Sequence, residues 1–77
     1  MLPKVIRNAL DLGSAVRLRR KSAGLTQAEL AEVAGVGKRF LSELERGKPT
    51  AEFQKVLQVL SVLGLDLSLS SRPGGEK

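Results

Sequence analysis

Residues 24–48 read GLTQAELAEVAGVGKRFLSELERGK. Thr26 stands ahead of Gln27-Ala28-Glu29, a capping-box pattern in which the threonine hydroxyl accepts from the Glu29 amide and the Glu29 carboxylate reaches back. With Leu25 before the cap and Leu30 beyond it, the spacing predicts a helix from about Gln27 to Ala34. Gly35-Val36-Gly37 predicts a tight turn with one apolar residue pinned inside. Leu41 and Leu44 then restore a helical period, so a second short helix is expected from Lys38 to about Arg46. Gly47 closes it and Pro49 blocks its continuation. Lys38 and Arg39 open this helix side by side, either as a tool or as ordinary solvated surface.

The charge distribution bears on that choice. Thirteen Lys and Arg against eight Asp and Glu make the 77-residue chain +5, an excess that suits a polyanionic partner without identifying one. The excess lies in residues 1–24, where Lys4, Arg7, Arg17, Arg19, Arg20 and Lys21 face Asp11 alone. Residues 25–50 and 51–77 are each neutral, so Lys38-Arg39 sits in a balanced stretch.

North of the quoted stretch, Leu12 to Ala23 holds good helix formers with Leu12, Ala15, Val16 and Ala23 on one face, and Gly24 ends it. Asn8, Asp11 and Ser14 are each able to cap its start. South of it, Thr50 is placed to cap a longer apolar helix, Ala51 to Leu63, with Phe53, Val56, Leu57, Leu60 and Leu63 at core spacing and Gly64 ending it. Leu65-Asp66-Leu67-Ser68-Leu69-Ser70 alternates strictly between apolar and polar, the period of a half-buried strand. A lone strand leaves unpaired backbone groups. Two partners are available: the same strand of a second copy, covering Leu65, Leu67 and Leu69 in a two-fold dimer, or the KVIR stretch Lys4 to Arg7. The first is favoured, and the tail Ser71 to Lys77 is expected to be disordered. Residues 1–10 then form an N-terminal extension, 11–64 the helical domain, 65–70 a dimerisation strand and 71–77 the tail.

A chain this short buries about 60% of its unfolded surface, so its core is thin and outside support is expected. With no Cys and no His, neither disulfides nor the usual structural metals supply it, which leaves oligomerisation. No cofactor or metal site is expected. The first residues lack the apolar run of a secretory signal and no segment reaches a membrane-spanning length, so a cytoplasmic protein is expected.

Two short helices joined by a glycine turn, the second opening with exposed cations, are the arrangement of a helix-turn-helix, though any small helical bundle also joins helices by turns. The motif resolves this. Leu25-Thr26-Gln27, Glu29-Leu30-Ala31, Ala34-Gly35-Val36 and Ser42-x-x-Glu45-x-Gly47-Lys48, in order and without gaps, resemble the XRE, or phage-repressor-like, family. Through RKSAGLTQ, FLSELERGKPT and KVLQVLSVLGLDLSL the chain is similar to the HipB-like antitoxins over roughly residues 12–71. The resemblance implies an all-α, phage-repressor-like domain of four to five helices, with a short C-terminal β-strand pairing in a homodimer. It implies binding of a palindromic double-stranded DNA operator as a repressor in the bacterial cytoplasm, and a HipA-like serine/threonine kinase toxin held inactive. A free-standing XRE regulator without a toxin and a protein-interaction adaptor without DNA are the rival readings.

Carried over residue by residue, the resemblance places Gln27 at the N-terminus of the first motif helix, facing a phosphate. Gly37, Lys38 and Arg39 fall at the start of the recognition helix, where Lys38 or Arg39 can bond guanine O6 and N7. Gly37 replaces the Ser or Thr common in the family, so one hydroxyl contact is missing. Glu43 either accepts from cytosine N4 or pairs with Arg39 one turn away and holds it straight, the second role being favoured. Phe40 touches a thymine methyl or sugar, or packs under the turn. Ser42, Arg46 and Lys48 are candidates for phosphate contacts. Arg20 and Glu45 are expected to form a partly buried structural salt bridge, and Arg17, Arg19 and Lys21 to be mostly solvated.

Other chemistry is poorly supported. GVGK lacks the flanking residues of a Walker loop, since Glu32 and Arg39 stand where a Gly and a Ser or Thr are needed. Without His or Cys, the remaining candidates for catalysis are carboxylates such as Glu29 and Glu32, which read as a solvated helix face, so no enzyme is expected. A basic amphipathic helix lying on a membrane is disfavoured by Gly13 and Ser14.

Overall fold

The computed structural model describes residues 5–74 as four helices: α1 (Ala9–Ser22), α2 (Gln27–Ala34), α3 (Lys38–Glu45) and α4 (Phe53–Val62). Asn8 is the cap chosen for α1; its side chain accepts from Asp11 N–H at 2.8 Å while Arg7 N–H donates to the Asp11 carboxylate at 3.0 Å. That pair of bonds starts the helix three residues before the expected Leu12. Arg19, Arg20 and Lys21 fall in the last turn, where cations suit the negative end of the helix dipole.

The capping box of α2 is complete, with Thr26 Oγ1 accepting from Glu29 N–H at 3.1 Å and Glu29 Oε1 accepting from Thr26 N–H at 2.8 Å. Gly35, at φ 73°, lets the chain reverse so that Val36 N–H reaches back to the Ala31 carbonyl and the Val36 side chain packs on the core. Lys38 follows directly after the extended Gly37, and α3 begins.

Val16, Leu30, Leu41, Leu44 and Val59 are fully buried, one or two from each helix, and Ala31, Ala34, Val56, Leu60 and Leu63 complete the core. Gly13 lets α1 approach α3 closely. A Cβ there would collide with the Leu44 carbonyl oxygen and lie 2.7 Å from the Glu45 carbonyl oxygen. A glycine inside a helix is a poor helix former by propensity, but in the fold Gly13 is the contact surface between two backbones.

Helix α4 departs from expectation at its start. Thr50 does not cap it; the cap position is Glu52, without a side-chain bond, and the helix begins at Phe53. Pro49, Thr50 and Ala51 serve as connector, with Ala51 packed on the core. Phe53 shares the helical phase of Val56, yet it is 61% exposed, on an open groove that it lines with Leu57, Leu60 and Leu65. Gly64 closes α4, and Leu65 N–H donates to the Leu60 carbonyl at 2.9 Å.

Residues 65–70 form no strand among the described residues. Leu65 packs on the core and its N–H is taken by the helix end, whereas Leu67 is half exposed and Leu69 95% exposed. A ladder needs a second strand, and the described residues of one chain offer none. The alternative partner, residues 4–7, is no strand over 5–7, and Lys4 lies outside the described residues, as do 75–77 of the expected disordered tail.

Candidate nucleic-acid interface

Helix α3 divides along its length. Leu41, Leu44 and Glu45 point into the bundle, while Arg39, Ser42, Glu43 and Arg46 recur at the three- and four-residue spacing of the opposite face. The inward side is held by charge as well as by packing. Arg20 Nε and Nη2 donate to the two Glu45 carboxylate oxygens at 2.7 and 2.9 Å, a bidentate pair, and Arg20 Nη1 donates to the Leu25 carbonyl at 2.8 Å. The Glu45 side chain is 3% exposed. Burial alone pushes the Glu45 carboxyl up, but hydrogen bonds from Arg20 and Gln27 and the Arg20 charge outweigh it and hold the group below the ordinary glutamate range. Through the same bond the Arg20 guanidinium is held more firmly protonated than usual. The expected structural pair is therefore present, and it joins the end of α1 to the end of α3 across the start of α2.

Gln27 sits where expected, at the N-terminus of α2, but its side-chain amide donates to Glu45 Oε1 at 3.0 Å. It turns toward the buried pair, which a reading of isolated motifs could not foresee. Around it, Lys21, Leu25, Thr26, Ala28 and Lys38 line an open hollow at the head of α2.

Outward, Arg39 is 92% exposed, and Lys38 and Gly37 are exposed beside it. A Cβ at Gly37 would meet nothing within 4 Å, so the absent hydroxyl is not a steric requirement. Glu43 lies between two cations, its Oε2 3.4 Å from Arg39 Nε and its Oε1 3.1 Å from Lys48 Nζ. Those contacts, Lys48 first, hold its carboxyl below the ordinary range. Arg46 Nη1 donates to Ser42 Oγ at 2.9 Å. Phe40 is half-buried and packed on the core, with Lys55 Nζ 5.7 Å from its ring centre. Lys38, Arg39, Ser42, Glu43 and Arg46 thus share the outward side of α3, and Lys48 joins them from the connector beyond it through its contact with Glu43.

Three polar anchors escaped the sequence reading. Arg19 Nε donates to the Leu63 carbonyl at 2.9 Å, closing the end of α4 against α1. Gln58 Nε2 donates to the Ala34 carbonyl at 3.0 Å at the end of α2. Lys48 turns back to Glu43. The first two join a side chain to a distant helix end, and the third reaches back five residues past the Gly47 turn, a separation outside the three- and four-residue spacing of a helix.

A family profile described as helix-turn-helix matches residues 16–69. The chain belongs to the helix-turn-helix family. An HTH-type transcriptional regulator of Sinorhizobium fredii, y4mF, itself uncharacterized, is 52% identical over 68 residues, covering 88% of this chain and 90% of the relative. Among solved structures, a HipB–O4 20mer complex shares 25% identity at a TM-score of 0.82, covering 92% of this chain and 100% of HipB. A complex of a HipB variant with an O2 20mer shares 27% identity, also at 0.82, covering 92% and 99% of the two chains. A HipA–HipB–O2–O3 complex contains a chain 25% identical with a TM-score of 0.83, covering 92% and 100%. The XRE-type motif read from Leu25 to Lys48 and the likeness to HipB thus both hold at the level of the fold. Among the described residues no helix is long and apolar enough to cross a membrane.

Proposed function

We propose that this XRE-type helix-turn-helix regulator binds a palindromic DNA operator as a homodimer and represses transcription. The observation that carries the reading is the strip Lys38, Arg39, Ser42, Glu43, Arg46 and Lys48, held outward because Leu41, Leu44 and the Arg20–Glu45 pair fix the other side of α3. Lys38 and Arg39, at the N-terminal end of that helix, are the base-reading side chains. Ser42, Arg46 and Lys48, together with Gly37 and the start of α2 at Gln27, are assigned to phosphate, and Phe40 to the rim of the contact. A two-fold dimer through Leu65, Leu67 and Leu69 sets two α3 helices about 34–36 Å apart, one turn of duplex. The apolar groove of Phe53, Leu57, Leu60, Leu65 and Leu67, open to solvent in the single chain, supports that assembly, since it is apolar surface beside Leu65 and Leu67 that a second copy would cover. The likeness to HipB supports an antitoxin that represses its own operon in the bacterial cytoplasm and holds a HipA-like kinase inactive. A second reading, a free-standing regulator without a toxin, is equally consistent with the y4mF relative's name as an HTH-type transcriptional regulator; a kinase reading frame beside the gene separates the two.

The test is binding of the protein to the DNA upstream of its own gene, followed across a salt series. Phosphate contacts require affinity to fall linearly in log–log form with salt. Lys38→Ala with Arg39→Ala, both exposed, is expected to abolish the shift with the melting midpoint unchanged. Binding that ignores salt, or that survives the double substitution, rejects the reading.

A further inference from the structure

A surface that meets a polyanion gains from cations, yet the outward face of α3 carries an acid at its centre. Glu43 is only 25% exposed, while its partner Arg39 extends into solvent. Lys48 is tied to Glu43 twice, by its ammonium to the carboxylate at 3.1 Å and by its own N–H to the Glu43 carbonyl at 3.0 Å. Lys48 also lies beyond Gly47, at φ 89°, so it stands off the helix on the connector to α4. One carboxylate therefore holds a cation of the recognition helix and a cation of the following loop.

We propose that Glu43 is a counter-charge that suppresses sequence-independent binding of duplex DNA by holding Arg39 and Lys48 in ion pairs. The proposal rests on the DNA-binding reading and names a specificity-determining residue within it. Non-specific affinity comes from cations that neutralise phosphates and release counterions. A cation already matched by a carboxylate brings little net charge to a phosphate, so an arbitrary duplex gains little by opening the pair. Exposed pairs are weak, and a bidentate contact from Arg39 to a base edge outweighs the one it breaks. The acid thus lowers affinity for arbitrary sequence more than for the sequence that engages Arg39.

Glu43→Gln keeps the shape of the side chain and removes its charge. With a mixed-sequence duplex as probe and fluorescence anisotropy as readout, the variant is expected to steepen the slope of log affinity against log salt by about 0.9 for each cation freed. For one or two cations, the ratio of affinities at about 50 and 200 mM salt then grows roughly 3.5- to 12-fold over wild type. Adding Arg39→Gln and Lys48→Gln to the same variant returns the slope to the wild-type value. An unchanged slope in Glu43→Gln overturns the proposal, as does a steep slope that persists in the triple variant. If Glu43→Gln does not melt cooperatively, Arg39→Gln with Lys48→Gln decides: an unchanged slope supports a counter-charge, and a loss of about 1.8 overturns it. Failure of the wild-type protein to bind both this probe and its own upstream DNA is a different result, and removes the DNA-binding reading itself.

Discussion

Arg20→Ala is the substitution whose cost the structure defines most closely. It removes two hydrogen bonds from the Glu45 carboxylate and one from the Leu25 carbonyl. Glu45 is left almost fully buried with Gln27 as its remaining neutral donor. Stranding one member of a buried pair costs about 3–5 kcal/mol. A 77-residue domain of ordinary stability has about 4–12 kcal/mol to lose. At roughly 4–8 °C per kcal/mol for a domain of this size, the melting midpoint should fall by roughly 12–40 °C. Circular dichroism melts of the intact protein measure this. Arg20→Met combined with Glu45→Leu is the control, because replacing both charges by apolar groups is near neutral in buried pairs and should recover most of the loss. A single variant melting within about 3 °C of wild type, or a double variant no better than the single, refutes the reasoning. The pair also sets an acid limit. The folded Glu45 carboxyl titrates below its unfolded value, so the folded state binds fewer protons between the two. This contribution is complete above the ordinary glutamate value of about 4.3 and is lost as pH falls through the lower folded value. Wild type should therefore lose stability over that window more steeply than the double variant.

Two further outcomes follow from the packing. Gly13→Ala should destabilise by about 1–2 kcal/mol, since overpacking against the α3 carbonyls outweighs the roughly 1 kcal/mol that alanine gains in a helix; a midpoint above wild type in a melt would show that α1 and α3 can separate. Deleting residues 65–77 should give a monomer by sedimentation, and a persistent dimer would place the interface elsewhere.

Legibility followed the range of the interactions. The capping box at Thr26, the turn at Gly35 and the inward Leu41 and Leu44 all depend on neighbours within a few residues, and all were readable. The Arg20–Glu45 pair spans 25 positions and was expected through family resemblance, not spacing. Gln27 shows the limit: its position was legible and its direction was not, because the acceptor that turns it inward arrives on another helix. Phe53 failed for a related reason, since helical phase says which side a residue faces but not whether anything covers that side.

The sequence by itself determined the helices, their order, the turn between α2 and α3 and the cations that open α3, because caps, glycines and apolar periods act locally. It also carried the alternation of residues 65–70, but alternation supplies only half of a ladder, and the described single chain leaves the other half unpaired. Tertiary structure alone decided that Gly13 is a helix crossing, that Gln27 belongs to the buried pair and that Glu43 stands between Arg39 and Lys48. Each of those depends on where a backbone or side chain distant in the chain, or beyond a turn, comes to rest, and that position exists only once the four helices have closed on one another.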